Sequence, residues 1–346
     1  MLGEIIIKNI LREISIENMD GFKIGHAQNE EAMTGVTAVV FNGKAVAGVE
    51  ISGGGPASRE TPLLDPKMAC ENINCLILSG GSAFGLEAGA GAARYLEEKG
   101  IGFDTGYAKV PLVCQSCIYD LSIGLSKVRP DVSMGYEACK NACEAAAIDN
   151  SQGLVGVGMG ATVGKLKTMR NSMKSGLGIY GLQLGELKVI AMVAVNSLGD
   201  IYDYETGEKI AGMLNDKRTD YEDCELTMYK MAMAAAGKNS QDMIWNGENK
   251  DGYTANTTIG AIITNGDFSK ADMNKIAKMA TNAYSKCIKP VATTADGDTI
   301  YAISVGDVKC DINAVGTLAT RAMSGAIKNA IENSKMKDED YLKIIL

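Results

Sequence analysis

The sequence has a single histidine, His26, and few aromatic side chains, which make up 5% of the residues. A Ser-His-Asp or Cys-His catalytic arrangement would therefore have to use His26. Basic residues are fewer than acidic ones, and the net charge of −8 argues against a nucleic-acid-binding protein. Any enzymatic chemistry thus rests on His26 or on a nucleophile that needs no histidine.

Long hydrophobic runs are also missing, since no run of about 18 apolar residues occurs, and this predicts no membrane span. The first residues lack the basic start, apolar core and small-residue cleavage site of a signal peptide. We therefore expect a cytoplasmic protein.

Cysteines are present but do not form a metal-binding pattern. Cys114 and Cys117 form one CxxC motif, and Cys139 and Cys143 are spaced by one helical turn, but no second CxxC lies nearby. A zinc site needs four ligands, usually from two such motifs. We predict reduced thiols in the core and no bound metal.

Glycine is abundant, with 40 among 346 residues, and it recurs in short groups between apolar runs. Two apolar runs, 35–41 and 45–51, flank an Asn-Gly dipeptide, which predicts a β-hairpin. A buried strand over 74–78 is followed by a glycine-rich turn and a helix over 83–99. Together with the later strands and helices, this pattern predicts an α/β sandwich.

Three glycine-rich segments could serve a site. Segment 52–61 is either a loop beside a site or a partner chain, or a plain surface loop. The glycines of 80–85 do not give GxGxxG, and segment 160–165 is one residue short of a Walker motif, with Leu166 in place of its Ser/Thr. We predict no nucleotide or other organic cofactor.

Two threonines, Thr257 and Thr258, follow a polar stretch over 246–252 and precede an apolar strand over 259–263. A threonine hydroxyl is a poor nucleophile without a nearby base. A free α-amine, with a pKa of about 7.7–8.0, could be that base if the chain cut itself between Asn256 and Thr257. The alternative is an ordinary strand that begins with threonines, which favour strands.

Asn196 and two aspartates are further candidates for catalysis. Asn196 ends an apolar strand and could direct its amide at an oxyanion, or it could simply begin a turn. Asp296 and Asp298 point the same way on an extended segment, so repulsion would raise one pKa and keep a proton available. Their alternative is an Asp-Gly-Asp turn or a weak calcium loop.

Five segments together resemble the P1 (DmpA-like, S58) peptidase family over nearly the whole chain, from about residue 19 to 335. These are GFKIGHA (21–27), GGGPASRET (53–61), LSGGSAFGL (78–86), GATVGK (160–165) and NTTIG (256–260). The family includes L-aminopeptidase/D-esterases, β-peptidyl aminopeptidases and nylon-oligomer (6-aminohexanoate oligomer) hydrolases. The threonine and the Asp-Gly-Asp sequence, in place of serine and a Ser-x-Glu pair, are most similar to the nylon-oligomer branch.

The resemblance implies a four-layer αββα sandwich of the N-terminal-nucleophile-hydrolase type, formed by a single domain over 1–346. Autocleavage would give an α chain (1–256) and a β chain (257–346) that assemble into a homo-oligomer, typically a tetramer of heterodimers. The implied substrate is a small peptide or amide. No metal, organic cofactor, membrane or nucleic acid is expected to take part.

The resemblance also assigns roles to individual residues. The predicted catalytic residues are Thr257, Asp296, Asp298, Asn196 and, from a looser alignment, Lys174. Tyr119 matches an aromatic side chain of the substrate pocket. The rival readings are acyl transfer, because ornithine acetyltransferases have a similar fold and also cut themselves before a threonine, and an uncleaved, non-catalytic homologue.

Overall fold

The computed structural model describes residues 10–235 and 256–346, so the predicted polar stretch over 246–252 lies outside the described residues. The helices of the described part begin with local capping signals where the chain supplies them. Ser269 and Asp272 form a capping box, and Asp131 and Asp311 cap two other helices. The α-helices are α1 (Ala88–Glu98), α2 (Val132–Glu144), α3 (Cys224–Ala235), α4 (Lys270–Ala280), α5 (Asn282–Cys287), α6 (Ile312–Glu332) and α7 (Asp338–Ile344).

The strands of the described residues form two main sheets and three small ones. In chain order they are β1 (Arg12–Ile14), β2 (Phe22–Asn29), β3 (Thr34–Phe41), β4 (Val46–Ile51), β5 (Ser58–Arg59), β6 (Cys75–Ser79), β7 (Phe103–Asp104), β8 (Lys109–Val110), β9 (Val113–Cys117), β10 (Thr162–Val163), β11 (Met173–Lys174), β12 (Leu177–Leu184), β13 (Leu187–Ala194), β14 (Asp200–Tyr202), β15 (Lys209–Ala211), β16 (Ile259–Gly266), β17 (Ile288–Lys289) and β18 (Thr299–Val308). The six-stranded sheet has the order β1-β12-β13-β16-β18-β4, and the five-stranded sheet has the order β2-β3-β6-β9-β5.

The two main sheets pack face to face between two layers of helices. Apolar residues of both sheets, such as Val39, Leu76, Met192 and Ile263, fill the space between them. Helices α1 and α2 cover the outer face of the five-stranded sheet, and α4, α5 and α6 cover the outer face of the six-stranded sheet. The predicted α/β sandwich with four layers in the order αββα is therefore confirmed.

The predicted hairpin over 35–51 is wrong. Strand β3 pairs with β2 and β6 in the five-stranded sheet, whereas β4 pairs with β18 in the other sheet. The turn around Gly43 carries the chain from one sheet to the facing one. Both runs are buried between layers for most of their length, so the uninterrupted apolar pattern does not reveal which sheet each strand joins.

The predicted helix over 83–99 is shorter than expected. The α-helix begins at Ala88 and is preceded by a 3-10 helix over Ser82–Glu87, which follows Gly81 in a left-handed conformation. None of the helices in the described ranges combines the length and the hydropathy that crossing a bilayer requires.

Candidate active site

Three neighbouring strands of the six-stranded sheet bring the predicted residues together. Strand β16 is antiparallel to β13 and parallel to β18, and Ile259 at its start is paired with both Ala194 and Thr299. The residues just before β16, just after β13 and just before β18 therefore meet at one edge of the sheet. These are Thr257, Asn196, and the pair Asp296 and Asp298.

Thr257 is buried, with 4% of its surface exposed, and the peptide bond before it is held on several sides. Its hydroxyl donates a hydrogen bond to the carbonyl oxygen of Asn256. The same oxygen accepts the N–H of Gly297 at 2.8 Å, and the N–H of Thr257 donates to the main-chain oxygen of Asn196 at 2.9 Å. The nucleophile predicted from the sequence thus contacts the carbonyl group of the predicted cleavage site.

Asp298 and Asp296 are buried on the loop that leads into β18. Asp298 accepts the N–H of Thr258 at 2.6 Å and that of Ala292 at 3.0 Å. Asp296 accepts the N–H and the hydroxyl of Thr293 at 2.8 and 2.6 Å. Burial raises the pKa of both carboxyls, and the charge of Asp296 adds to the rise at Asp298. The pair is fixed in place by main-chain donors and is able to hold a proton near neutral pH.

Asn196 is fully buried, and both ends of its amide have partners. Its Nδ2 donates to the main-chain oxygen of Tyr119 at 2.9 Å, which leaves the second N–H of the amide for another acceptor. Its Oδ1 accepts the ammonium of Lys165 at 2.8 Å and the N–H of Thr162 at 3.0 Å. The orientation of the amide is therefore set by the segment 162–165.

Lys165 was not predicted as a site residue, yet it contacts Asn196 directly. Its Nζ also donates to the main-chain oxygen of Asn196 at 3.1 Å, the same atom that accepts the N–H of Thr257. Burial lowers the pKa of Lys165 to about 7, against the opposing charges of Asp296, Asp120 and Asp298. The only signal for it in the sequence is its place in the segment GATVGK.

Lys174 and Tyr119 lie next to this group. The ammonium of Lys174 donates to the main-chain oxygens of Ala161 and Ser175, both at 2.7 Å, and burial lowers its pKa to about 7, opposed by the charge of Asp120. Asp120 in turn accepts the hydroxyl of Thr34 at 2.6 Å. Tyr119 is half-buried, and its main-chain oxygen accepts the Nδ2 of Asn196. The predicted catalytic role of Lys174 and substrate contact of Tyr119 stay predictions.

His26 and the cysteines lie outside this group. The ring of His26, on β2, contacts the hydroxyl of Thr37 at 2.9 Å and lies 4.0 Å from Asp149. The nine cysteines are unpaired, and six of them are buried. Within residues 10–235 and 256–346 no three or more His, Cys, Asp or Glu side chains are grouped so that they could hold a metal ion.

Comparisons with known proteins identify the family and agree with the fold. A model of peptidase family S58 matches residues 15–338. An uncharacterized aminopeptidase of Mycobacterium leprae is 32% identical over 327 residues, which cover 90% of this chain and 84% of that protein. A 6-aminohexanoate-oligomer endohydrolase of Agromyces sp. is 28% identical over 337 residues, which cover 94% and 88% of the two chains.

Two solved structures share the fold at low sequence identity. A β-aminopeptidase of Burkholderia sp. superposes with a TM-score of 0.64 at 14% identity, over 96% of this chain and 93% of that one. An L-aminopeptidase D-Ala-esterase/amidase of Ochrobactrum anthropi, described as a variant of the Ntn hydrolase fold, gives a TM-score of 0.62 at 14% identity, over 93% and 86%. The predicted Ntn-hydrolase-like fold is confirmed.

Proposed function

The chain belongs to peptidase family S58 and is a hydrolase of peptide or amide bonds, and from that premise we propose that it is a self-processing amidohydrolase with an N-terminal threonine nucleophile. The observation that supports this most strongly is the meeting of Thr257, Asn196 and Asp298 at the ends of three adjacent strands. A threonine that contacts the carbonyl group before it has the geometry for cutting its own chain.

Self-cleavage begins when the hydroxyl of Thr257 attacks the carbonyl carbon of Asn256. A bond forms between Oγ1 and that carbon, the bond from the carbon to the nitrogen of Thr257 breaks, and the hydroxyl proton ends on the nitrogen. Water then hydrolyses the resulting ester. The products are a carboxylate on Asn256 and a free α-amine on Thr257, beside the main-chain oxygen of Asn196 that already accepts its N–H at 2.9 Å.

In the mature enzyme the free amine is the base for its own hydroxyl, because an α-amine has a pKa of about 7.7–8.0 and is partly unprotonated at neutral pH. Thr257 attacks the carbonyl carbon of a substrate amide, and water later releases the acyl group. The second N–H of the Asn196 amide stabilises the oxyanion. Asp298 and Asp296 hold the start of the strand and pass protons, and Lys165 fixes the position of Asn196.

The two chains would remain together after the cut because they share one sheet. The β chain contributes β16 and β18 to the middle of the six-stranded sheet, between β13 and β4 of the α chain. Assembly into a tetramer of heterodimers and a cytoplasmic location stay predictions.

The proposed substrates are small peptides, amino-acid amides and oligomers of 6-aminohexanoate. The last class is proposed because several relatives, including those of Agromyces sp. and Kocuria sp., are named 6-aminohexanoate-oligomer endohydrolases. The relatives described above are named aminopeptidases or hydrolases, which favours hydrolysis over acyl transfer to an amine.

The test compares two adjacent threonines. We expect the wild-type chain to separate into fragments 1–256 and 257–346 by intact mass, and Thr257→Ala to remain one species of 36.5 kDa without amidase activity. Thr258→Ala is the matched control, since its hydroxyl is buried without a hydrogen-bond partner among the described residues, and it should be cut and active. An uncut Thr257→Ala chain that still hydrolyses aminoacyl anilides or aminohexanoate oligomers would refute the proposal.

A further inference from the structure

A glycine-rich loop over residues 52–55, which we call the glycine loop, lies flat against the segment 293–298 that carries the two aspartates. The N–H groups of Ser52 and Gly53 donate to the main-chain oxygen of Asp298 at 2.9 and 3.2 Å, and that of Gly55 donates to the oxygen of Asp296 at 2.8 Å. A Cβ atom at Gly53 would lie 2.4 Å from the oxygen of Asp296. The close approach therefore requires glycine at position 53. Of the two interpretations of this segment, these contacts favour a loop beside a site over a plain surface loop.

This contact fixes the position of Gly297, between the two aspartates. Its N–H donates to the carbonyl oxygen of Asn256 at 2.8 Å, and Asn256 pairs with Asp296 in a short parallel bridge. A Cβ atom at Gly297 would lie 2.8 Å from both the hydroxyl oxygen of Thr257 and the main-chain oxygen of Gly55. Only glycine leaves room for the nucleophile on one side and for the glycine loop on the other.

The oxygen that Gly297 contacts is the one that would become an oxyanion during self-cleavage. When the hydroxyl of Thr257 adds to the Asn256 carbonyl, the carbon becomes tetrahedral and its oxygen takes up the negative charge. A donor that is already in place stabilises this charge without any reorganisation. The N–H of Gly297 is already hydrogen-bonded to this oxygen at 2.8 Å, whereas the hydrogen bond seen for the amide of Asn196 goes to the main-chain oxygen of Tyr119.

We propose that the N–H of Gly297 is the oxyanion donor of self-cleavage, that the glycine loop holds it there, and that the substrate reaction uses a different donor, the amide of Asn196. This inference rests on the proposed function, because it assigns a residue to the cleavage step before Thr257. It implies that processing and substrate turnover can be impaired separately.

The decisive experiment replaces Gly297 by glycolic acid during cell-free translation, which exchanges the N–H for an ester oxygen and removes one donor. We expect self-cleavage of the full chain, followed by intact mass, to slow by about 10²–10³-fold, as is typical for the loss of one oxyanion donor. The matched control is the same exchange at Gly55, which removes a hydrogen bond to Asp296 but none to Asn256. It should slow cleavage by less than about tenfold.

A second pair of variants needs only ordinary mutagenesis. Gly297→Ala should block cleavage in a chain that still melts cooperatively, because its Cβ displaces the hydroxyl of Thr257. Gly55→Ala should be cut at the wild-type rate, since a Cβ atom there lies 3.8 Å from its nearest neighbour, the oxygen of Asp296. Equal cleavage rates for these two alanine variants would overturn the inference.

Turnover separates the two donors. Chains with the Gly297→glycolic acid exchange, once they have been cut, should hydrolyse an aminoacyl anilide at a rate per cut chain within about threefold of the wild-type rate. A parallel fall in cleavage and turnover, or equal slowing by the two ester exchanges, would overturn the assignment. If the unmodified chain is not cut before Thr257 at all, the proposed function fails, whereas a normal cleavage rate after the Gly297→glycolic acid exchange refutes only this inference.

Discussion

Lys165 and Lys174 follow each other closely along the chain, at the two strands β10 and β11, and both are almost completely buried. Burial lowers the pKa of each to about 7. Their contacts nevertheless lead in different directions. Lys165 holds both oxygens of Asn196, whereas Lys174 binds the main-chain oxygens of Gly158, Ala161 and Ser175 beside Asp120.

Burial and a lowered pKa therefore do not by themselves identify a catalytic lysine. What distinguishes the two side chains is the group that each one positions. Lys165 acts on the amide that is proposed to stabilise the oxyanion. Lys174 ties together the turns around β10 and β11, and the family resemblance is the only reason to give it a catalytic role.

The largest expected difference is in activity. Lys165→Met should lower kcat/KM for an amide substrate by about 10²–10³-fold, because the Asn196 amide loses the donor that orients it. Lys174→Met, which preserves a similar volume, should lower it by less than about tenfold. Both are measured on cut enzyme, with the pH dependence of kcat/KM recorded between pH 6 and 9.

The pH profile separates a role at the site from a purely structural one. A change in kcat/KM near pH 7 should disappear in Lys165→Met and persist in Lys174→Met, because of the two lysines only Lys165 is hydrogen-bonded to Asn196. An equal loss of activity in the two variants, or a profile altered by Lys174→Met alone, would favour Lys174 as the functional lysine.

Some features of the site can be predicted from local sequence patterns, but the position of Lys165 cannot. Thr257, Asn196 and Asp298 each lie where an apolar run meets polar residues, and such a local pattern predicts where a strand begins or ends. The structure brings these three residues together. The burial of Lys165 and its contact with Asn196 depend on which segments pack together, and no residue pattern within 160–165 reveals this.

Two other features cannot be predicted from the sequence for related reasons. The pattern of the apolar runs 35–41 and 45–51 predicts strands, but it does not say that they join opposite sheets. The contact between Gly297 and the Asn256 carbonyl is made by the main chain, so no side chain indicates it. The strands and several of the side chains that meet at the site are therefore predictable from the sequence, whereas the partner sheet of a strand and the main-chain donor are not.

A smaller effect is expected on stability, and here the two lysines should behave alike. In the unfolded chain a lysine has a pKa of about 10.4, so between pH 7 and pH 10 the unfolded state binds more protons than the folded state. The free energy of unfolding should therefore rise with pH in this window, by up to about 1.4 kcal/mol per pH unit for each lysine. This stability is lost as the pH falls through 7.

Urea unfolding of the uncut Thr257→Ala chain at pH 7, 8 and 9 measures this slope. Adding either Lys165→Met or Lys174→Met should remove a similar part of it. Lys67→Met, which changes an exposed side chain, is the control and should leave the slope as it was. If only one of the two substitutions reduces the pH dependence of the free energy of unfolding, the environments of the two lysines differ more than their similar burial indicates.

The smallest expected effect is that of the Thr162 hydroxyl, which also lies close to the side-chain oxygen of Asn196. The hydroxyl of Thr162 lies 3.4 Å from Oδ1, at the long end for a hydrogen bond, whereas the N–H of the same residue lies at 3.0 Å. Thr162→Val keeps the N–H and the shape of the side chain, so kcat/KM should fall by less than about threefold, well under 1 kcal/mol. A loss as large as that of Lys165→Met, measured on the same amide substrate, would show that the hydroxyl orients the amide as strongly as the lysine does.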